Sequence, residues 1–291
     1  MITYTHTIPD IIRRRSSCRR YDPRPIEPGL RDGLSEILAV SPQGPFKSRA
    51  RFELVSVTDD DLNALKGLGT YGFIKGATGF IIGAVERGEK DMEDYGYLLE
   101  RIILLATDID LGTCWLGGTF SKSNFSQKIS LKESEVLPAA AAVGYVPDKP
   151  RWFDSFIRRR AGSDNRLPWT ELFFDKTFQN PLSTKTVGPF AAPLEMVRLG
   201  PSASNKQPWR IIRDGTRWHF YLQRTIGYGE RNMSLFKLAD LQRVDMGIAM
   251  CHFELTAREM GLSGRWTLTE PKMEKPEERT EYIVTWEEQC D

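Results

Sequence analysis

The strongest constraint on this chain is an internal repeat. Residues 94–115 read DYGYLLERIILLATDIDLGTCW, and residues 245–266 read DMGIAMCHFELTAREMGLSGRW. They align without a gap at a constant offset of 151, sharing Asp94/Asp245, Gly96/Gly247, Ala106/Ala257, Leu111/Leu262 and Trp115/Trp266. Each carries apolar residues at helical spacing on a broad face. Each also ends in a Gly-containing turn, at Asp110-Leu111-Gly112 and at Gly261-Leu262, so each predicts one long helix. A repeated unit that cannot bury its apolar face alone buries it against its neighbour. The chain is therefore expected to be two half-size copies sharing one interface and one core.

The flanks follow the same order. Before each helix lies a β-branched stretch, Phe52 to Val57 and Arg210 to Arg213, followed by a turn rich in Asp or Gly. A second pair of strands is predicted at Gly79 to Val85 and Trp218 to Leu222, and a third after each helix, at Ala140 to Val146 and Glu281 to Trp286. Strand, strand, helix, strand, run through twice, is an α+β pattern with an antiparallel or mixed sheet and not a doubly wound one. Copy one spans residues 1–150 and copy two residues 191–291. Residues 151–190, rich in proline and carrying Arg158, Arg159 and Arg160, are expected to form a connector over the surface, with one short helix from Pro168 to Phe173.

Composition removes several function classes. The 40 Lys and Arg balance 39 Asp and Glu to a formal net charge of +1, which gives neither a nucleic-acid binder nor an acidic tail a global field to work with. The most apolar stretch, residues 97–111, is broken by Glu100, Arg101, Asp108 and Asp110, so no membrane span is expected. Cys18, Cys114, Cys251 and Cys290 stand far apart with no metal spacing, and the N-terminus lacks an export signal. Both point to a cytoplasmic protein without a metal site or a disulfide framework. His252, in an apolar helix, reads as a packed core residue, and Cys114 as a small buried hydrophobe.

Two constellations offer chemistry. In Arg15-Ser16-Ser17-Cys18-Arg19-Arg20-Tyr21-Asp22-Pro23, a regular helix would turn Ser17 away from Arg15 and Arg19. If the chain leaves helical geometry there, two guanidinium forks and a hydroxyl can converge on one phosphate; otherwise the tract is a solvated basic face. In Gly200-Pro201-Ser202-Ala203-Ser204-Asn205-Lys206-Gln207-Pro208-Trp209, a Gly/Pro-punctuated loop offers Ser, Asn and Gln donors and acceptors, with Trp209 able to anchor it.

Arg15-x-Ser17-x-Arg19, Pro201-Ser202-x-x-Asn205-x-Gln207-Pro208-Trp209 and Gly112 to Gly118 after a long apolar helix together resemble the FMN-dependent nitroreductase family over nearly the whole chain. The resemblance implies a three-layer α+β fold with FMN in a dimer interface, here between two fused copies. It implies a phosphate site at Arg15, Ser17 and Arg19, joined by Arg166 before Leu167-Pro168. It places Ser202, Asn205 and Gln207 near the ribityl chain and ring, and the backbone of Gly117 and Gly118 at the reactive edge.

The motifs are split between the copies. Copy one has Ser41-Pro42-Gln43-Gly44-Pro45-Phe46 where copy two has the Asn/Gln loop, and copy two has Thr267-Leu268 where copy one has Gly117-Gly118. One FMN per chain is therefore expected, with reducing equivalents passing from NAD(P)H to a small electron-poor acceptor such as a nitroaromatic or quinone. No side-chain acid or base is required. A fused pair can be monomeric and needs no nucleic acid or membrane. Two other classes fit the same residues: a flavin-binding protein without turnover, and a phosphate-ligand or protein-interaction module using the Arg-rich N-terminal patch.

Overall fold

The computed structural model describes residues 2–40, 43–147, 165–226, 239–273 and 279–289. Ser41, Pro42, Arg158, Arg159, Arg160 and Cys290 lie outside the described residues. The first half holds α1 (Ile8–Arg14), α2 (Pro28–Ala39), β1 (Ala50–Ser56), β2 (Gly79–Glu86), α3 (Asp91–Asp108), β3 (Leu111–Leu116), α4 (Lys122–Lys128), β4 (Glu135–Val136) and β5 (Ala140–Tyr145). The second holds α5 (Trp169–Leu172), β6 (Phe173–Asp175), α6 (Ala191–Leu199), β7 (Trp209–Asp214), β8 (Arg217–Gln223), α7 (Leu241–Glu259), β9 (Gly264–Thr267) and β10 (Thr280–Glu288). No helix among the described residues is long and apolar enough to cross a membrane.

The strands form two sheets of matching plan. One runs β1-β2-β5-β3, antiparallel throughout, with β4 also pairing with β2; the other runs β6-β7-β8-β10-β9, antiparallel except for the parallel β6–β7 edge. All six expected strands are present. Each half also has a further strand: β3 begins inside the expected turn at Asp110-Leu111-Gly112, and β9 follows the expected turn at Gly261-Leu262. The long helices stop at equivalent places, Asp110 (φ 63°) and Gly261 (φ 74°), and the chain then returns as β3 and β9. Gly112 is a strand residue, and the left-handed stop lies two residues earlier.

Two further expectations are corrected. The β1–β2 connection is a turn only in the second half, where β7 and β8 are joined by residues 215–216; in the first half it is a long excursion over residues 57–78. The described part of the connector is no surface strap. Leu172, Phe173, Leu182, Val187 and Phe190 are all buried in the main core, and Phe173 belongs to edge strand β6, not to the short helix.

Between the sheets lie α3 and α7. In α3, 17 of 18 residues are buried, which makes it a central helix and not an amphipathic surface one. The two helices cross where Gly96 meets the backbone of Val244 and Gly247 meets the backbone of Glu93 and Tyr97. The contacts are reciprocal: Gly96 and Gly247 are 151 residues apart, as are Glu93 and Val244. A Cβ on either glycine would fall far inside van der Waals distance of a carbonyl oxygen on the facing helix, and neither backbone can rotate away.

Gly96→Ala or Gly247→Ala should therefore cost at least about 3 kcal/mol, the upper end for overpacking. Gly33→Ala in α2, where a Cβ meets nothing within 4 Å, should stabilise by about 0.5–1 kcal/mol through helix propensity. Urea midpoints of the three variants measure both effects; equal midpoints would contradict the crossing.

Candidate functional site

Thr7 caps α1, its side chain accepting from the Asp10 amide, and Ile8, Ile11 and Ile12 bury one face of the helix. The helix stops at Arg15, whose ψ of 124° turns the chain to extended geometry. Ser17 then bridges Thr113 of β3, the Cys18 amide donates to Thr113 O at 2.8 Å, and the Lys75 amide donates to Arg19 O at 2.9 Å. In extended backbone alternate residues share a side, which groups Arg15, Ser17 and Arg19 as a helix would not. The Arg15 side chain is only 6% exposed, with Nε 3.9 Å from Glu100 Oε1. Arg19 lies over the Phe73 ring, 4.9 Å from its centroid. The Nε atoms of both arginines are buried without a hydrogen-bond partner among the described residues.

Glu100, fully buried on α3, was not singled out by sequence. Its Oε2 accepts from Trp115 Nε1 at 2.7 Å, and its Oε1 lies 2.9 Å from His252 Nε2 on α7. His252 Nδ1 is 2.8 Å from Met196 O, which can only accept, so Nδ1 is the donor there and the Nε2–Glu100 bond carries the pair's other proton. His252 is thus a packed core residue, as expected, but one that ties α7 to α3 and α6. Its partner lies 152 residues away, beyond any local spacing rule. Cys114 behaves as expected: burial pushes its thiol up to about 11, against the smaller opposing effect of Arg19 and Arg15.

Loop 200–208 begins where Gly200 closes α6. Ser204, Asn205 and Gln207 all have left-handed backbone (φ 51°, 54° and 49°), a costly arrangement for residues other than glycine. The loop is held by its own polar groups. Ser202 Oγ accepts from the Gln207 amide at 2.8 Å, and Asp245 Oδ1 on α7 accepts from the Ala203 amide at 2.9 Å. The connector docks on it. Gln207 Oε1 accepts from the Leu167 amide at 2.8 Å, Asn205 Nδ2 donates to Asn165 O at 2.8 Å, and Arg166 donates to Asn205 Oδ1 at 3.2 Å and Leu199 O at 3.0 Å. Arg166, Ser202, Asn205 and Gln207 are therefore brought together.

Gly117 and Gly118 directly follow β3, the strand that Ser17 bridges. A Cβ on Gly117 would collide with Leu241 in the first turn of α7, whereas one on Gly118 would meet nothing within 4 Å. Among the described residues, no side-chain hydrogen bond joins Arg15, Ser17 or Arg19 to loop 200–208. Both rest on α7, one through Glu100–His252 and β3–Gly117–Leu241, the other through Asp245. Glu100, Asp245 and Leu241 carry this link; of the three, only Asp245 had a sequence signal, as a repeat position. Among the described residues no group of three or more His, Cys, Asp or Glu is placed to hold a metal.

Comparison with known proteins gives a family and a fold. A family profile described as "Putative TM nitroreductase" matches residues 7–257. No curated protein sequence matches the chain. Among solved structures, a putative nitroreductase from Thermotoga maritima is similar at 19% identity and a TM-score of 0.59, over 98% of this chain and 95% of that one, which is a likeness of fold. A putative nitroreductase in complex with FMN from Desulfovibrio desulfuricans is 20% identical, with a TM-score of 0.38 over 52% of this chain and 95% of that one. A nitroreductase with bound FMN from Bacteroides fragilis is 20% identical, with a TM-score of 0.37 over 50% and 92%.

Removing Glu100 should unfasten the link between α3 and α7. Glu100→Ala leaves Trp115 and His252 without their shared hydrogen-bond partner and Arg15 without the carboxylate beside it in a dry interior, and should cost about 3–5 kcal/mol. Glu100→Gln keeps an acceptor for Trp115 and should cost less. Chemical denaturation of the two variants against the parent checks the order, and equal losses would contradict it.

Proposed function

The chain belongs to this nitroreductase family, and we propose that it is an FMN-dependent oxidoreductase with one cofactor site per chain, formed between the two fused copies of a pseudo-dimer. The observation that carries the reading is the pair of buried Nε atoms on Arg15 and Arg19, cations with unused donors on one side of the same extended segment. That donor set fits a phosphate monoester. Arg15, Arg19 and the Ser17 hydroxyl would bind it, with Arg166 reaching it from the connector.

Ser202, Asn205 and Gln207 would line the ribityl chain and ring. Asn205 and Gln207 already bond residues 165–167, so they would also fix the connector beside the site. The main chain at Gly117 and Gly118 would face the reactive edge, where the open space at Gly118 permits close approach. The chemistry FMN supplies when bound is two-electron uptake from NAD(P)H and delivery to a small electron-poor acceptor of the nitroaromatic or quinone type. The chain's own part is to hold the phosphate, orient the ring and leave one face open. No side-chain proton donor is needed for that part.

The single site follows from the asymmetry of the loops. The counterpart around Gly44, Pro45 and Phe46 offers no Asn or Gln side chain at the corresponding places. Fusion also makes a second chain unnecessary, so the protein is expected to work as a monomer.

Purified protein reconstituted with FMN should hold close to one flavin per chain and oxidise NADH or NADPH when given a quinone. Arg15→Ala should weaken FMN binding about tenfold or more, the loss expected for one charge-assisted hydrogen bond, and adding Arg19→Ala should weaken it further. A flavin ratio near two would refute the single site. Yellow protein without turnover would support a silent binder, and unchanged FMN affinity in the double variant would remove the phosphate assignment.

A further inference from the structure

Asp94 and Asp245 are one of the repeat's identical pairs, and each holds a loop of its own half by the backbone. Asp94 Oδ1 accepts from the Phe46 amide at 2.9 Å, and Oδ2 from the Ser48 amide at 2.8 Å. Asp245 Oδ1 accepts from the Ala203 amide at 2.9 Å. The two aspartates sit at corresponding turns of α3 and α7, next to the glycine crossing, so the loops are fastened to the closely packed central helices.

The loops differ in what they must be held against. Loop 200–208 carries three non-glycine residues in left-handed backbone within four positions, and these include Asn205 and Gln207. Such conformations persist only where the surroundings over-determine them. Ala203 stands immediately before this run, and its amide is the loop's tie to α7.

We propose that Asp245 is the positioning residue of the cofactor loop: by accepting from the Ala203 amide it fixes the backbone that presents Ser202, Asn205 and Gln207 to the flavin. The inference rests on the proposed function, because it takes the loop to be one wall of an FMN site. Asp94 does the same mechanical work for a loop that lacks the Asn and the Gln-Pro-Trp string, so it stabilises its half without shaping the site.

The second oxygen of Asp245 is buried and has no hydrogen-bond partner among the described residues. Burial drives this carboxyl well above the usual carboxylate range. An asparagine amide at this position would keep an acceptor for the Ala203 amide.

The test compares Asp245→Ala, Asp245→Asn and Asp94→Ala for FMN affinity, by quenching of flavin fluorescence, alongside their denaturation midpoints. Asp245→Ala should weaken FMN about tenfold, the scale of one lost hydrogen bond plus a relaxed loop. Asp245→Asn should restore affinity to within about twofold, a change too small to mark a lost hydrogen bond. Asp94→Ala should lower stability but leave FMN affinity unchanged. Wild-type affinity in Asp245→Ala, or an equal loss in Asp94→Ala, would overturn the assignment.

A second measurement needs neither flavin nor a variant. In the unmodified protein the Ala203 amide should be protected from hydrogen exchange as strongly as the amides of α7, and free exchange there would also overturn it. If the parent binds no FMN while Ala203 is protected, the tie stands as a backbone contact but its positioning role falls together with the proposed function.

Discussion

Main-chain contact between α3 and α7 at Gly96 and Gly247 sets the distances on which the rest of the molecule depends. At this crossing the backbone of each helix occupies the space where the other would carry a Cβ. Each helix has its own sheet on one side and its counterpart on the other, so neither half has a complete core alone. One cluster of buried residues accordingly runs through both halves, from Ile11 and Tyr95 to Phe253 and Trp286. The candidate site inherits its geometry from the crossing, because its two parts are fastened to α3 and α7, one through Glu100 and His252 and the other through Asp245.

Polar groups then fix the register that the glycines leave open. Arg243 donates two hydrogen bonds to Glu93 across the seam, at 3.0 and 2.6 Å, and the Tyr97 hydroxyl donates to Glu254 at 2.9 Å. Glu100–His252 adds a third crossing at 2.9 Å. Buried ionic contacts of this kind add little net stability, since desolvation offsets most of the attraction, but a misregistered alternative would strand every one of them. Apolar packing brings the helices together, and these groups decide which residues face which.

The sequence reading succeeded where chemistry is local or periodic. Six strands, two long helices and the offset of 151 all have short-range causes, β-branched runs and apolar spacing, whereas the extended break after Arg15 was one of two readings that the Arg-rich tract left open. It failed where the cause was distant. β3 was hidden because Gly112 looks like a helix stop while the left-handed residue is Asp110, and only pairing with β5 makes the segment a strand. Phe173 became an edge strand because β7 offered it a parallel partner. Glu100 looked like an interruption of an apolar helix until its partners arrived from β3, α1 and α7. Of the three left-handed residues of loop 200–208, only Asn205 is of a type that favours this geometry, and Ser204 and Gln207 give no such signal without Asp245 and the connector to hold the loop.

The two halves repeat the frame and not the chemistry. Both tryptophans after the long helices, Trp115 and Trp266, donate to a glutamate on the preceding helix, Glu100 and Glu254. Those glutamates are not equivalent positions: 151 residues after Glu100 stands Cys251, and 151 residues before Glu254 stands Ile103. Two identical chains related by a two-fold axis must show every seam residue twice, so a buried carboxylate needed on one side would have to be accommodated on the other. A fused chain is free of that rule. It can place Glu100 beneath Arg15 and His252 on one side and an uncharged thiol at the equivalent place on the other, so that the cost of burying the carboxylate is borne once. On the proposed reading, that freedom is the physical reason a duplicated frame ends with one cofactor site.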